Sequence, residues 1–142
     1  MRVLGIDYGM RRIGLALSDP TETIATPLDT LIRRRGKRAP LSKIESIAIE
    51  KGAEHLVIGL PLNLEGNETK WSEEVRAFGA SLSKRMNLQV SFVDERMTSV
   101  RAERTVRSIG LPKTKRENKA RIDAAAAQLI LQNWLDLRKH TK

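Results

Sequence analysis

The sequence predicts one α/β domain over residues 1–142, built on a mixed five-stranded sheet flanked by helices, with antiparallel N-terminal strands and a parallel remainder. Three observations predict it. Two apolar runs, RVLGID (Arg2 to Asp7) and RIGLALSD (Arg12 to Asp19), are joined by the turn-like YGMR and read as a β-hairpin. From Pro40 onward, segments of helical period alternate with strand-like ones, the pattern of parallel strands joined by right-handed crossovers. The chain has 142 residues, 40% hydrophobic and 30% charged, which suffices for one buried core and is short for a hinged two-domain enzyme.

The elements follow in order. Thr26 to Ile32 is a third strand candidate weakened by Pro27, followed by the basic run RRRGKR, expected to be exposed. Leu41, Ile44, Ile47 and Ala48 fall at helical spacing between Pro40 and Gly52, which supply start and stop signals. HLVIGL (His55 to Leu60) is continuously apolar, as in a strand covered on both faces. After the loop PLNLEGNE, Trp71, Val75, Phe78, Leu82 and Met86 recur at intervals of three and four, so a second helix forms, with Gly79 as an interior weakness. LQVSFV (Leu88 to Val93) is the next strand. In DERMTS, Thr98 or Ser99 can cap a helix running to about Ile109, closed by Gly110 and Pro112. Lys113 to Lys119 is polar and without period, hence a loop, and the last helix runs from about Ala120 to Leu137.

Twenty-six Lys and Arg against 17 Asp and Glu give a net charge of +9, which favours a polyanionic partner such as nucleic acid. The excess is concentrated. Arg33 to Lys43 holds six bases and no acid, and Arg96 to Arg121 holds nine bases against Glu103 and Glu117. The absence of cysteine excludes disulfides, thiolate metal sites and cysteine nucleophiles. The opening residues are interrupted by Arg2, Asp7, Arg11 and Arg12, unlike a signal peptide, and no window reaches the roughly 20 apolar residues of a membrane span. A cytoplasmic protein without a membrane partner is expected.

Three sets of carboxylates stand where strands end and loops begin: Asp7 after the first strand, Asp94 and Glu95 after the last, and Asp123 in the first turn of the final helix. Each alone has an ordinary explanation: a turn cap for Asp7, an ion pair for Glu95, a helix-dipole partner for Asp123. Asp123, however, shares a helical stripe with Ala127, Ile130 and Trp134, the side that should face the sheet. Carboxylates gathered there repel one another unless they take up protons or hold a hard cation, and Mg²⁺ or Mn²⁺ matches an all-oxygen ligand set.

The segments GIDYGMRRIGLALSD, VIGLPLNLEG, DERMTS and IDAAAAQLILQ occur in this order over nearly the whole chain, and together they resemble the YqgF/RuvX family of the ribonuclease H-like superfamily. Glu65 departs from the Asp more usual at that loop position. The resemblance implies a ribonuclease H-like fold and a metal-dependent nuclease with Asp7, Glu95 and Asp123 as catalytic metal ligands and Asp94 as an additional candidate. Two-metal hydrolysis of phosphodiester bonds is the implied chemistry, leaving a 5′-phosphate and a 3′-hydroxyl. It also implies two roles: maturation of the 5′ end of precursor 16S rRNA in ribosome biogenesis, the favoured one, or resolution of four-way DNA junctions. A weakly active or inactive ribosome-assembly module is a third reading. GIDYG also opens the actin and sugar-kinase ATPases, which clamp ATP between two such domains where this length supplies one.

The expected nucleic-acid contacts are Tyr8, Gly9, Arg11 and Arg12 at the hairpin turn, Asn63 in GLPLNLEG, and Arg96, Arg101, Lys113, Lys115, Arg116 and Lys119 in the basic stretch tethered between Glu95 and Asp123. Gly9 equally reads as a turn glycine, Arg11 and Arg12 as solvated arginines, and Asn63 as part of a strand-ending loop. Structured RNA is the favoured partner, branched DNA the alternative, with pre-ribosomal particles a further candidate and the chain a monomer or homodimer. His55, His140, Trp71 and Trp134 read as core or surface residues, with subunit contacts open to the tryptophans.

Overall fold

The computed structural model describes residues 1–33, 38–97 and 115–140, and for 97, 115–123 and 140 the backbone alone. The elements are β1 (Arg2–Tyr8), β2 (Arg12–Ser18), β3 (Ala25–Pro27), β4 (Leu31–Ile32), α1 (Leu41–Lys51), β5 (Ala53–Leu60), α2 (Lys70–Met86), β6 (Gln89–Asp94), a 3-10 turn (Glu95–Met97) and α3 (Lys115–His140). The sheet order is β3-β2-β1-β5-β6, with β4 also paired to β2. β1 and β2 form the expected antiparallel hairpin, whereas β1–β5 and β5–β6 are parallel.

Two expectations need correction. The single third strand is two fragments, β3 and β4, both antiparallel to β2, so the sheet has six strands. Pro27, which has no N–H to donate, is the last residue of β3. The segment Lys115 to Lys119, expected as a loop, is the first part of α3. Lys, Arg and Glu favour helix as strongly as most apolar residues, and apolar period is blind to a helical turn made of them. The helix expected between Thr98 and Ile109, and Arg101 and Lys113 with it, lies outside the described residues.

Alternation along the central strands divides the core. Leu4, Ile6 and Tyr8 of β1 join Leu15, Leu56 and Ile58 under α1 and α2, whose Ile44, Ala48, Val75, Phe78 and Leu82 complete that layer. Val3 of β1 joins Ala16, Val57 and Val93 on the opposite face, covered by Ala126, Ala127, Ile130, Leu131 and Leu135 of α3. Asp7 is odd-numbered and therefore belongs to the α3 face. A Cβ added at Gly5 would lie 2.7 Å from Leu131 Cβ and 3.2 Å from the Ala127 carbonyl, so helix and strand are in close contact there. Gln128 and Gln132 fasten the helix to the sheet edge: Gln132 Oε1 accepts from Ala25 N, and both side-chain amides donate to carbonyls of Thr23 and Ala25. Lys139, near the far end of α3, reaches Thr23, in the segment after β2 where Pro20 accepts a bond from the Met1 amino group. α3 therefore runs antiparallel to β1, its N-terminal half over the C-terminal end of that strand.

Candidate active site

Asp7 and Glu95 are 3% and 5% exposed, an unusual degree of burial for carboxylates outside a pairing or ligating role. Asp7 lies in β1 and Glu95 in the turn after β6, with β5 between those two strands. Asp7 is paired with Gly14 of β2, and since Ile6 is in register with Ile58 the next β5 position beside Asp7 is Gly59. Gly59 is in turn paired with Val93. Directly opposed residues share a face, so Asp7 is flanked on the α3 side by two residues without side chains. Glu95, in the turn that follows β6, occupies the space above one of them. A Cβ at Gly59 would fall 2.9 Å from Glu95 Oε1 and 2.5 Å from Ile130 Cδ1. The missing side chain thus lets the Glu95 carboxylate reach back over β5 toward the β1 column, one strand spacing of about 4.8 Å away.

Asp123 is in α3, one turn before Ala127, whose carbonyl lies against Gly5. Because α3 is antiparallel to β1, its backbone position is on the stretch leading toward the Asp7 end of the strand. Its side chain lies outside the described atoms. Among the described residues no three metal-type side chains cluster, and Asp7 and Glu95 are the two buried carboxylates on this face.

Asp94 and Arg96, expected at a metal and at a phosphate, face each other. Arg96 Nη2 and Nε donate to Asp94 Oδ2 at 2.7 and 3.1 Å, and the Arg96 backbone N–H donates to Asp94 Oδ1 at 2.9 Å. The hydrogen bond to Asp94 raises the guanidinium further above its ordinary pKa. Arg96 Nη1 also donates to the Leu64 carbonyl at 3.3 Å, and a Cβ at Gly66, whose φ is +86°, would fall 2.6 Å from Nη2. Asn63 shapes the same loop: its Oδ1 accepts from the Glu65 and Asn67 amides, and its backbone N–H donates to Asn67 O.

Tyr8, expected beside substrate, is a correction. It is 7% exposed and lies on the sheet face opposite Asp7, stacked on Phe78 at 3.9 Å and Trp71 at 5.6 Å. Burial raises its pKa, opposed by the nearby charge of Arg33, whose guanidinium covers the ring at 4.8 Å. One residue along a strand exchanges faces, which the position of Tyr8 next to Asp7 conceals. Gly9 closes the hairpin through Gly9 N to Arg12 O at 3.0 Å, and a Cβ there would be 2.5 Å from that oxygen, as a turn glycine requires. Arg11 is exposed and Arg12 half-buried at the same tip, beyond the C-terminal end of β1. Lys115, Arg116 and Lys119 follow the backbone of the first turns of α3. Gly14, Gly59 and Gly66 escaped the sequence reading; strand register for the first two, and the glycine ending GLPLNLEG for the third, are the signals that identify them.

Comparisons with known proteins identify the family and the fold. The family model described as "RuvX: Holliday junction resolvase" matches residues 1–137. A protein of Maridesulfovibrio salexigens named "Putative pre-16S rRNA nuclease" is 41% identical over 135 residues, covering 95% of this chain and 98% of the relative. A protein of Moorella thermoacetica with the same name is 42% identical over 136 residues, covering 96% and 95%. Among solved structures, T. thermophilus RuvC in complex with Holliday junction substrate superposes with a TM-score of 0.59 at 18% identity, over 99% of this chain and 97% of that one. The fowlpox virus Holliday junction resolvase gives 0.52 at 9% identity, over 96% and 99%. These structural likenesses show the ribonuclease H-like fold, and with the match of the family model across nearly the whole sequence they establish that the chain belongs to the RuvX family.

Proposed function

We propose that the protein is a divalent-metal-dependent nuclease that hydrolyses phosphodiester bonds in maturation of the 5′ end of precursor 16S rRNA, in the cytoplasm. The observation that carries the reading is the burial of Asp7 and Glu95 on one sheet face across a glycine that a Cβ would fill. Two buried carboxylates brought toward one another favour a cation between them, and a donor set of carboxylate oxygens suits Mg²⁺ or Mn²⁺. Asp7, Glu95 and Asp123 would hold the metal, with Asp94 turned to Arg96 instead. When bound, the metal supplies activation of water and neutralisation of charge on the leaving oxygen. The missing side chain at Gly59 leaves room for the Glu95 carboxylate beside Asp7, and Gly14 flanks Asp7 on its other side. Arg11 and Arg12 stand at the tip of the hairpin to meet flanking phosphates, with Arg101, Lys113, Lys115, Arg116 and Lys119 supplying the rest of the basic surface. The names of the relatives from Maridesulfovibrio and Moorella support the RNA substrate.

The description of the family favours a second reading, resolution of four-way DNA junctions. That activity needs two sites presented to two symmetric strands, hence a homodimer. The deciding experiment assays wild type and Asp7→Asn on precursor rRNA, single-stranded RNA and a four-way junction with Mn²⁺. Cleavage of precursor rRNA by wild type alone supports the nuclease reading. Selective cleavage of the junction selects the resolvase, and equal binding without cleavage by either protein selects a ribosome-assembly module.

A further inference from the structure

Arg96 is the residue next to the candidate ligand Glu95, and although it is exposed its guanidinium is engaged by other groups of the protein. It makes a forked contact with the Asp94 carboxylate, donates to the carbonyl of Leu64 in the loop after β5, and lies over Gly66, whose φ of +86° disfavours a side chain. The Asp94 carboxylate also accepts the Arg96 backbone N–H, which caps the 3-10 turn that carries Glu95. One ion pair therefore joins the turn bearing Glu95 to the loop 61–67 beside it. The loop is itself closed by Asn63, so it moves as a unit if released. A planar guanidinium satisfies a carboxylate and a carbonyl at once, which a lysine ammonium on a flexible stem does not reproduce.

We infer that Asp94 and Arg96 are positioning residues: their ion pair, seated on Gly66 and the Leu64 carbonyl, aims Glu95 into the metal site. The inference rests on the nuclease reading for its activity test and assigns Arg96 to Glu95 rather than to substrate phosphate.

The test compares Asp94→Asn, Arg96→Lys, their double variant, Arg96→Ala and Gly66→Ala with wild type and Asp7→Asn. Two quantities are measured: Mn²⁺ binding to the substrate-free protein by calorimetry, and kcat, KM and salt dependence of cleavage. A latch predicts that Asp94→Asn and Arg96→Lys each weaken Mn²⁺ binding and lower kcat by roughly 10–100-fold, the usual effect of removing support from a metal ligand. KM and the salt slope stay unchanged, and the double variant is no worse than the weaker single one, as for two parts of one device. Gly66→Ala, which removes no charge but crowds Nη2 and strains a φ of +86°, weakens Mn²⁺ binding in the same direction. A phosphate contact predicts the reverse pattern: wild-type Mn²⁺ affinity throughout, Gly66→Ala unaffected, and a salt slope reduced by about one when Arg96 becomes Ala. That result, or additive losses in the double variant, overturns the inference. If wild type cleaves nothing, or Asp7→Asn cleaves equally, the nuclease reading fails, and the Mn²⁺ titration alone decides the latch: unchanged affinity in Asp94→Asn and Arg96→Lys overturns it.

Discussion

Glu95 lies over Gly59, with its Oε1 2.9 Å from the place a Cβ on that glycine would occupy. The same Cβ would press on Ile130 Cδ1 at 2.5 Å, so the site is narrow on both the carboxylate and the helix side. Gly59→Ala must therefore displace the Glu95 carboxylate, the Ile130 side chain or both. Overpacking of this kind costs typically about 1–3 kcal/mol. The expected outcome is a lower melting temperature together with a loss of cleavage that added Mn²⁺ does not restore. Wild-type activity and stability in Gly59→Ala would show that Glu95 does not depend on this gap.

Asp7 is the other buried carboxylate, and its replacement should separate function from stability. Asp7→Asn keeps the shape of the side chain while removing a charge that is unfavourable near Glu95 without a cation. Cleavage should fall by more than the roughly 10–100-fold expected for a residue that merely supports a metal ligand. Melting temperature in chelator should stay the same or rise, the usual trade between a strained site and stability. A large loss of stability in chelator would mean that Asp7 serves the fold instead.

Much of this was legible in the residues. The hairpin, the two parallel strands and the helices α1 and α2 follow from apolar period, and α2 is confirmed by a capping box between Thr69 and Ser72. Asp7 and Glu95 were legible as carboxylates at strand ends, because a strand ends where its apolar run does. What was hidden depends on register and on neighbours distant in sequence. Gly79 reads as a weak point of α2, yet a Cβ there would sit 2.7 Å from Phe92 Cζ, so it is the notch that admits a β6 side chain. The bond from Arg96 across to the Leu64 carbonyl joins residues 32 apart in sequence. No local pattern encodes such a contact.

Tyr8 provides a test of that distinction. If it is a core residue rather than a substrate platform, Tyr8→Phe keeps the stack with Phe78 and Trp71 and leaves nucleic-acid affinity unchanged. Tyr8→Ala opens a cavity under α2 and should destabilise the protein by about 3–5 kcal/mol, the range for deleting a buried aromatic ring. Denaturant unfolding and a binding titration on the two variants check this. Loss of affinity in Tyr8→Phe at unchanged stability would return the phenol to the binding surface.

His55 gives a pH dependence whose sign follows from its surroundings. It is buried at the start of the core run of β5, its Nε2 2.8 Å from Ser91 Oγ and its ring stacked on Trp134 at 5.0 Å. Burial lowers its pKa, and the positive charge of Arg138 lowers it further against a smaller opposing effect of Glu22. In the unfolded chain the same imidazole titrates near about 6.5. Because the folded value is lower, the unfolded chain takes up the proton first. Stability is then complete above about 6.5 and declines as the pH falls through that value toward the folded pKa, levelling off below it. Melting temperatures from about pH 8 to about pH 5 at fixed ionic strength should show this decline, and His55→Gln should flatten it. The only other histidine, His140, is the last residue of α3, two residues before the end of the chain, so a slope that survives in His55→Gln would contradict the assignment to the buried ring.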